Sequence, residues 1–206
     1  MKAHCKTGGA ARHLAGADTV LAGIIKRVGP CALPLKPARG GYFEALAESI
    51  VYQQLNGKAA ATIFDRFRGI YPPGKFPAPE EIARTPDARL RAAGLSKQKL
   101  SYIKDLSEKT AAGQLNFAAF PKMSDEDIVE ELSSVKGIGR WTAEMFLIFT
   151  LARPDVLPVG DYGFKTAVMK AYRLKKLPDA KKLEKLSANW RPHRSAATWY
   201  LWQSLK

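Results

Sequence analysis

Two short stretches of the 206-residue chain carry residue types at spacings that can do chemistry. The first is Lys136-Gly137-Ile138-Gly139-Arg140-Trp141-Thr142, a glycine turn between two helical patterns. Gly137 and Gly139 permit positive φ and have no Cβ, so the backbone there can approach a ligand closely. The N–H groups of such a turn, and of the first turn of the helix after it, are unpaired donors at the positive end of a helix dipole. Lys136, Gly137, Ile138, Gly139, Arg140 and Thr142 therefore form a candidate anchor for a nucleic-acid phosphate, indifferent to base sequence. The same pattern also serves as a plain tight corner between two helices.

The second is Asp161 in Val159-Gly160-Asp161-Tyr162-Gly163, 24 residues beyond Gly137 (161 − 137). An Asp at this position reads as the N-cap of the following helix, and also as a carboxylate that can face a cleft. One fixed anion suits N-glycosidic bond hydrolysis, where positive charge builds on the sugar as in other glycoside hydrolyses. A base alkylated on a ring nitrogen is already cationic and leaves without a general acid, so no second carboxylate is required. Glu144 is the nearest alternative acid, and on an apolar helix it reads as the partner of a basic side chain.

The bulk properties suit a polyanionic partner: 33 Lys and Arg against 19 Asp and Glu give a net charge of +14. A generally basic protein with no such partner fits the same count. No apolar run has the roughly 18 residues of a membrane span. Met1 to Ala10 is polar, which reads as no secretory leader. The expected compartment is the nucleoid-bearing cytoplasm, or the nucleus in a eukaryote, and the expected state is a monomer. Cys5 and Cys31 are too few for a disulfide framework and read as two thiols of a reducing compartment, although they can pair. His4, His13 and His193 show no metal-ligand spacing, so no zinc or iron–sulfur cofactor is expected.

The elements that must position these groups are all helical. Apolar residues recur at helical period over 14–28, 42–55 (with Gln54 on the stripe) and 60–67. Thr85-Pro86-Asp87 reads as the start of a short helix closed by Gly94, Ser96 as the cap of one to Gly113, and Ser124 as the cap of another. A nearly all-apolar helix over 141–151 is expected to be buried. Helices near 162–173, 179–188 and 192–205 complete an all-α fold without an alternating strand.

Taken together, LSSVKGIGRWTAEMFLIF followed by DVLPVGDYGFK resembles the helix–hairpin–helix–Gly/Pro–Asp signature of base-excision DNA glycosylases. GIGRWTA and SIVYQQLNGKAAATIF are most similar to the 3-methyladenine DNA glycosylase II branch, in a compact form without the N-terminal β-rich domain of larger members. The resemblance spans roughly residues 40–205. It implies two helical lobes flanking a cleft, approximately 40–153 (with the hairpin at 135–141) and 12–39 plus 154–206, and a lesion flipped out of duplex DNA. Asp161 matches the family's catalytic aspartate. Trp141 stands near where strand-cleaving relatives carry a Schiff-base lysine, which implies a monofunctional enzyme. Leu55 matches the side chain that wedges into the duplex, with Gln54 beside it. Trp141, Tyr52, Met145 and His193 are the candidate base-pocket residues, with Trp199 a further aromatic. The pair Trp199 and Trp202 reads as one packed face. The carbonyls of Ser133, Val135 and Ile138 match those that bind a monovalent cation, Na+ or K+, in relatives, and no other cofactor is implied. The expected reaction is hydrolysis of 3-methyladenine from DNA, and of 7-methylguanine or ethenoadenine. A non-catalytic hairpin module and a glycosylase for another lesion class are the competing readings.

Overall fold

A computed structural model describes residues 8–37 and 41–206, which leaves Cys5 and His4 outside the described part. Among the described residues twelve α-helices run in chain order: α1 (Gly8–Ala17), α2 (Thr19–Val28), α3 (Tyr42–Tyr52), α4 (Gly57–Arg68), α5 (Pro79–Arg84), α6 (Asp87–Ala92), α7 (Lys97–Ala111), α8 (Asp125–Ser133), α9 (Arg140–Phe149), α10 (Tyr162–Ala171), α11 (Ala180–Leu186) and α12 (Arg194–Gln203). No strand occurs among the described residues, and the fold class is all-α. None of these helices is long and apolar enough to cross a membrane.

The chain divides into two compact units. One is Ala38–Phe146; the other joins Met1–Pro37 to Leu147–Lys206. The division falls within α9, earlier than the Arg153-Pro154 break in the sequence.

In the continuous unit, aromatic rings fill the interior. Phe43, Phe64, Phe67 and Phe76 contact one another at centroid distances of 5.8–6.2 Å. Tyr42, Phe117, Phe120 and Phe146 form a second group. Asn56 caps α4, Ser96 caps α7 and Ser124 caps α8, each accepting a backbone N–H of the first turn. Thr85 departs from expectation, ending α5 instead of opening α6. Its hydroxyl donates to the Glu81 carbonyl at 2.8 Å and meets the Tyr71 hydroxyl at 2.9 Å. The cause is Pro79 at the start of α5, where its fixed φ initiates a helix six residues long that the apolar period did not reveal.

In the discontinuous unit, Leu14, Leu21, Ile24, Phe164, Val168, Trp190, Tyr200 and Leu201 are buried around α1, α2, α10 and α12. The expected single helix over 14–28 is two helices, because Asp18 has extended backbone (φ −151°) and its carboxylate accepts the N–H groups of Val20 and Leu21. Its other oxygen accepts the Tyr172 hydroxyl at 2.6 Å and the Trp190 indole N–H at 3.0 Å. Burial and the hydrogen bond to Asp18 hold the Tyr172 phenol well above its ordinary pKa. One side chain thus caps α2 and ties it to the end of α10 and to the fully buried Trp190.

Asp18→Ala removes a helix cap and orphans two inward-facing donors, so unfolding free energy in urea should fall by about 2–4 kcal/mol. Tyr172→Phe, which deletes only one donor, should cost about 1 kcal/mol on the same assay.

Candidate active site and nucleic-acid interface

The hairpin lies in the continuous unit. Val135 and Ile138 are buried, and the Ile138 N–H donates to the Val135 carbonyl at 3.0 Å, closing the turn before α9. Gly137 has φ +81°, and a Cβ there would lie 2.1 Å from the Tyr102 ring of α7. Glycine is required at this position by both backbone and packing. Gly139 differs from expectation: its φ is not positive, and no neighbouring atom lies within 4 Å of the Cβ it lacks. The open approach to the backbone is therefore at Gly139, and the constrained bend is at Gly137.

The expected cations are present but already engaged. Lys136 keeps a largely exposed side chain with its ammonium 3.4 Å from Asp105, and its backbone N–H donates to the same carboxylate at 2.9 Å. The Asp105 carboxylate is also 3.1 Å from the Lys109 ammonium. Burial raises the Asp105 pKa, but the Lys136 N–H and the ammoniums of Lys109 and Lys136 outweigh it and leave the group below its ordinary range. The Arg140 guanidinium hydrogen-bonds both carboxylate oxygens of Glu126 and lies 3.8 Å from Glu144. Thr142 is only 6% exposed, so a phosphate contact from it would run through its backbone N–H.

The turn between α3 and α4 carries Gln54 and Leu55. Gln54 lies off the helical stripe, because α3 ends at Tyr52 and Gln54 adopts φ +56°. Leu55 is 39% exposed, an outward apolar side chain on a turn. Gln53, which the sequence reading passed over, joins this turn to the hairpin: its side-chain amide donates to the Gly137 carbonyl at 2.8 Å. Lys99 braces the same segment through the Val51 carbonyl at 2.6 Å, and burial lowers its pKa.

Of the pocket candidates in this unit, Trp141 is half exposed, Met145 is half-buried and Tyr52 sets its ring edge against Phe64. The exposure of Trp141, and of Phe149 at 47%, overturns the expectation that α9 is buried all round. His193 belongs to the other unit, where its ring meets His13 edge-on at 5.2 Å; burial and the neighbouring His13 lower its pKa.

Asp161 sits at the N-cap of α10 and is 9% exposed. Its Oδ1 accepts the Phe164 backbone N–H at 2.5 Å and the Trp202 indole N–H at 2.9 Å. The carboxylate thus stands at the positive end of the α10 dipole with its rotamer held by two donors. Their i, i+3 spacing predicts one packed face for Trp199 and Trp202. Trp199 does pack edge-on against Tyr200, but Trp202 is bound to the carboxylate and stacked at 6.0 Å on Phe149.

No cluster of three or more His, Cys, Asp or Glu that could hold a metal ion occurs among the described residues. The carbonyls of Ser133, Val135 and Ile138 are neutral oxygens, the donor type that a hard cation accepts. Lys109 donates to the intervening Ser134 carbonyl. Cys31 is a buried free thiol whose pKa burial raises.

Residues 47–192 match the HhH-GPD superfamily of base excision DNA repair proteins. The chain is 37% identical to DNA-3-methyladenine glycosylase 1 of Schizosaccharomyces pombe, covering 94% of this chain and 86% of that one. A structure of the S. pombe 3-methyladenine DNA glycosylase Mag1 in complex with abasic DNA superimposes with a TM-score of 0.83 over 95% of this chain and 96% of that chain. A DNA-3-methyladenine glycosidase from Bacillus halodurans superimposes with a TM-score of 0.82 at 36% identity, over 97% and 91%.

The two hairpin glycines should respond differently to a methyl group. Gly137→Ala forces the ring of Tyr102 aside and strains a left-handed residue, so it should cost about 2–4 kcal/mol in thermal or urea unfolding. Gly139→Ala should stay within about 0.5 kcal/mol of the parent.

Proposed function

The chain belongs to the HhH-GPD superfamily of base excision DNA repair proteins, and from that membership we propose that it hydrolyses the N-glycosidic bond of alkylated purines in duplex DNA, 3-methyladenine foremost. The observation that carries this reading is the Asp161 carboxylate, withdrawn from water and fixed by two N–H donors at a helix N-terminus. As the bond to the base lengthens, the departing base takes the bonding electrons and loses its positive charge, while positive charge develops on the deoxyribose. The fixed anion stabilises that charge. Water then forms its bond to C1′ and releases a proton to Asp161 or to solvent. A cationic leaving base needs no acid, consistent with a single carboxylate at the α10 cap. Arg140 is followed by Trp141 and not by an amine, so the reaction ends at the abasic site without strand cleavage.

Duplex DNA is held, in this reading, by the backbone N–H groups about Gly139 and the start of α9, with Lys136 and Arg140 exchanging Asp105 and Glu126 for phosphates. Leu55, with Gln54, fills the space of the everted nucleotide, and Trp141, Tyr52, Met145 and His193 are candidates to face the base. Na+ or K+ on the carbonyls of Ser133, Val135 and Ile138 would add positive charge beside the phosphate. The protein acts as a monomer wherever the cell keeps its DNA.

Wild-type protein incubated with methylated duplex DNA should release free 3-methyladenine, and Asp161→Asn should lower the single-turnover rate at least about 100-fold while retaining affinity for abasic-site duplex. Absence of free base from the wild type would leave a non-catalytic DNA-binding module, and an undiminished rate in the variant would remove Asp161 from the chemistry. Affinity should also fall steeply with salt, log K changing by about −0.9 per phosphate neutralised for each unit of log salt. A flat dependence would contradict the phosphate anchor.

A further inference from the structure

The chemistry asks more of Asp161 than a negative charge: its oxygens must stay in one place while the sugar becomes cationic, because stabilisation by a preorganised group is lost if that group must turn to meet the charge. Three residues, one each from α9, α10 and α12, converge on this requirement. Trp202, on α12, donates its indole N–H to Asp161 Oδ1 at 2.9 Å. Phe149, at the end of α9, stacks on that indole with ring centroids 6.0 Å apart and planes 17° apart, which fixes the direction of the N–H. Gly163, in the first turn of α10, supplies the space: a Cβ there would come within 3.3 Å of Asp161 Oδ1, 3.6 Å of the Trp202 nitrogen and 3.7 Å of the adjoining ring carbon.

We propose that Trp202 is a positioning residue for the reactive carboxylate, with Phe149 orienting its indole and Gly163 leaving room for the Trp202–Asp161 hydrogen bond. The proposal rests on the reading of Asp161 as the anion that meets the sugar cation. It also accounts for both glycines of Gly160-Asp161-Tyr162-Gly163 unequally. Gly160 has no atom within 4 Å of a Cβ, whereas Gly163 borders the hydrogen bond itself. A helix former at 163 would favour α10 and crowd the bond.

Binding of two otherwise identical duplexes tests this without turnover. One carries a tetrahydrofuran abasic analogue; the other carries a pyrrolidine whose ring nitrogen is protonated and imitates the charged sugar. Wild-type protein should prefer the cationic duplex, and Asp161→Asn should abolish that preference. Trp202→Phe keeps the stack on Phe149 but deletes the donor, and should cut the preference about tenfold with tetrahydrofuran affinity unchanged. Trp202→His, which returns a ring N–H, should recover part of it. Gly163→Ala should lower the preference without lowering Tm.

A Trp202→Phe protein that binds both duplexes more weakly by the same factor would show a packing role only, and an unchanged preference would exclude any role in positioning. Should Trp202→Phe fail to fold, Gly163→Ala carries the decision, since an unchanged preference there overturns the proposal. Loss of the preference in Asp161→Asn but not in the Trp202 and Gly163 variants would refute positioning while leaving the catalytic reading intact. Retention of it in Asp161→Asn would refute that reading, and the positioning role with it.

Discussion

A carboxylate shielded from water needs donors that replace its hydration, and the Asp161 site is organised around that need. The first N–H groups of a helix have no partner within the helix, so a side chain at the N-cap supplies one. At α10 this ordinary cap and the anion proposed to meet the sugar cation are the same group: the Phe164 N–H that stabilises the helix end also holds Oδ1. The surrounding core then matters to chemistry as well as to folding. Phe164 and Val168 bury the inner face of α10, and Tyr200 and Leu201 bury that of α12, so the two helices that supply Asp161 and Trp202 are packed in one interior.

The hairpin works by a different physical logic, in which rigidity comes from shape and charge is held in reserve. The ring of Tyr102 occupies the place of a Gly137 side chain, and the Gln53 amide holds the carbonyl of the same residue. The bend is thereby set from two sides, by α7 and by the turn that carries Leu55. Lys136 and Arg140 meanwhile face Asp105 and Glu126 near the surface. The Arg140–Glu126 pair is exposed and contributes little to stability, whereas Asp105 is buried and would keep the Lys109 ammonium and the Lys136 N–H as partners if the Lys136 ammonium turned to a phosphate. The pairs also neutralise two of the cations that flank the open backbone at Gly139.

The sequence disclosed the elements that repeat a pattern and obscured those that depend on a single contact. The period of apolar residues located α3 and α4, because burial of one helix face imposes that period, and α9 stood out as a nearly unbroken apolar run. Ser96, Ser124 and Asp161 marked helix starts because their side chains meet the local need of the helix end. α5 escaped notice because six residues are too few to show a period. The break at Asp18, made by its local cap of Val20 and Leu21, carries no period of its own, and the Tyr172 hydroxyl and Trp190 indole that hold its other oxygen lie more than 150 residues away. Gln54 was assigned to the helix although Gln53 ends it, since polar residues at a helix exit carry no signal of handedness. Gly137 and Gly139 look alike in sequence, and only the position of Tyr102 separates them. Trp202 illustrates the same limit at the site: spacing places it on a face with Trp199, but nothing local reveals that its nitrogen reaches Asp161. The second glycine of Gly160-Asp161-Tyr162-Gly163 was the available clue, as a small residue where a helix would favour a larger one.

The unit that holds Asp161 is assembled from two separated parts of the chain, Met1–Pro37 and Leu147–Lys206, with the hairpin unit emerging between them. During synthesis, α1 and α2 leave the ribosome without Tyr172, Trp190 or Tyr200, the residues that satisfy Asp18 and the Gly29 carbonyl. The hairpin unit, by contrast, is continuous, Ala38–Phe146. Long-range closure comes late when its two halves are far apart in the chain. Vectorial synthesis therefore brings out the continuous unit first and completes the Asp161 unit last, and a nascent chain halted before α12 would carry the carboxylate but not the indole that steadies it.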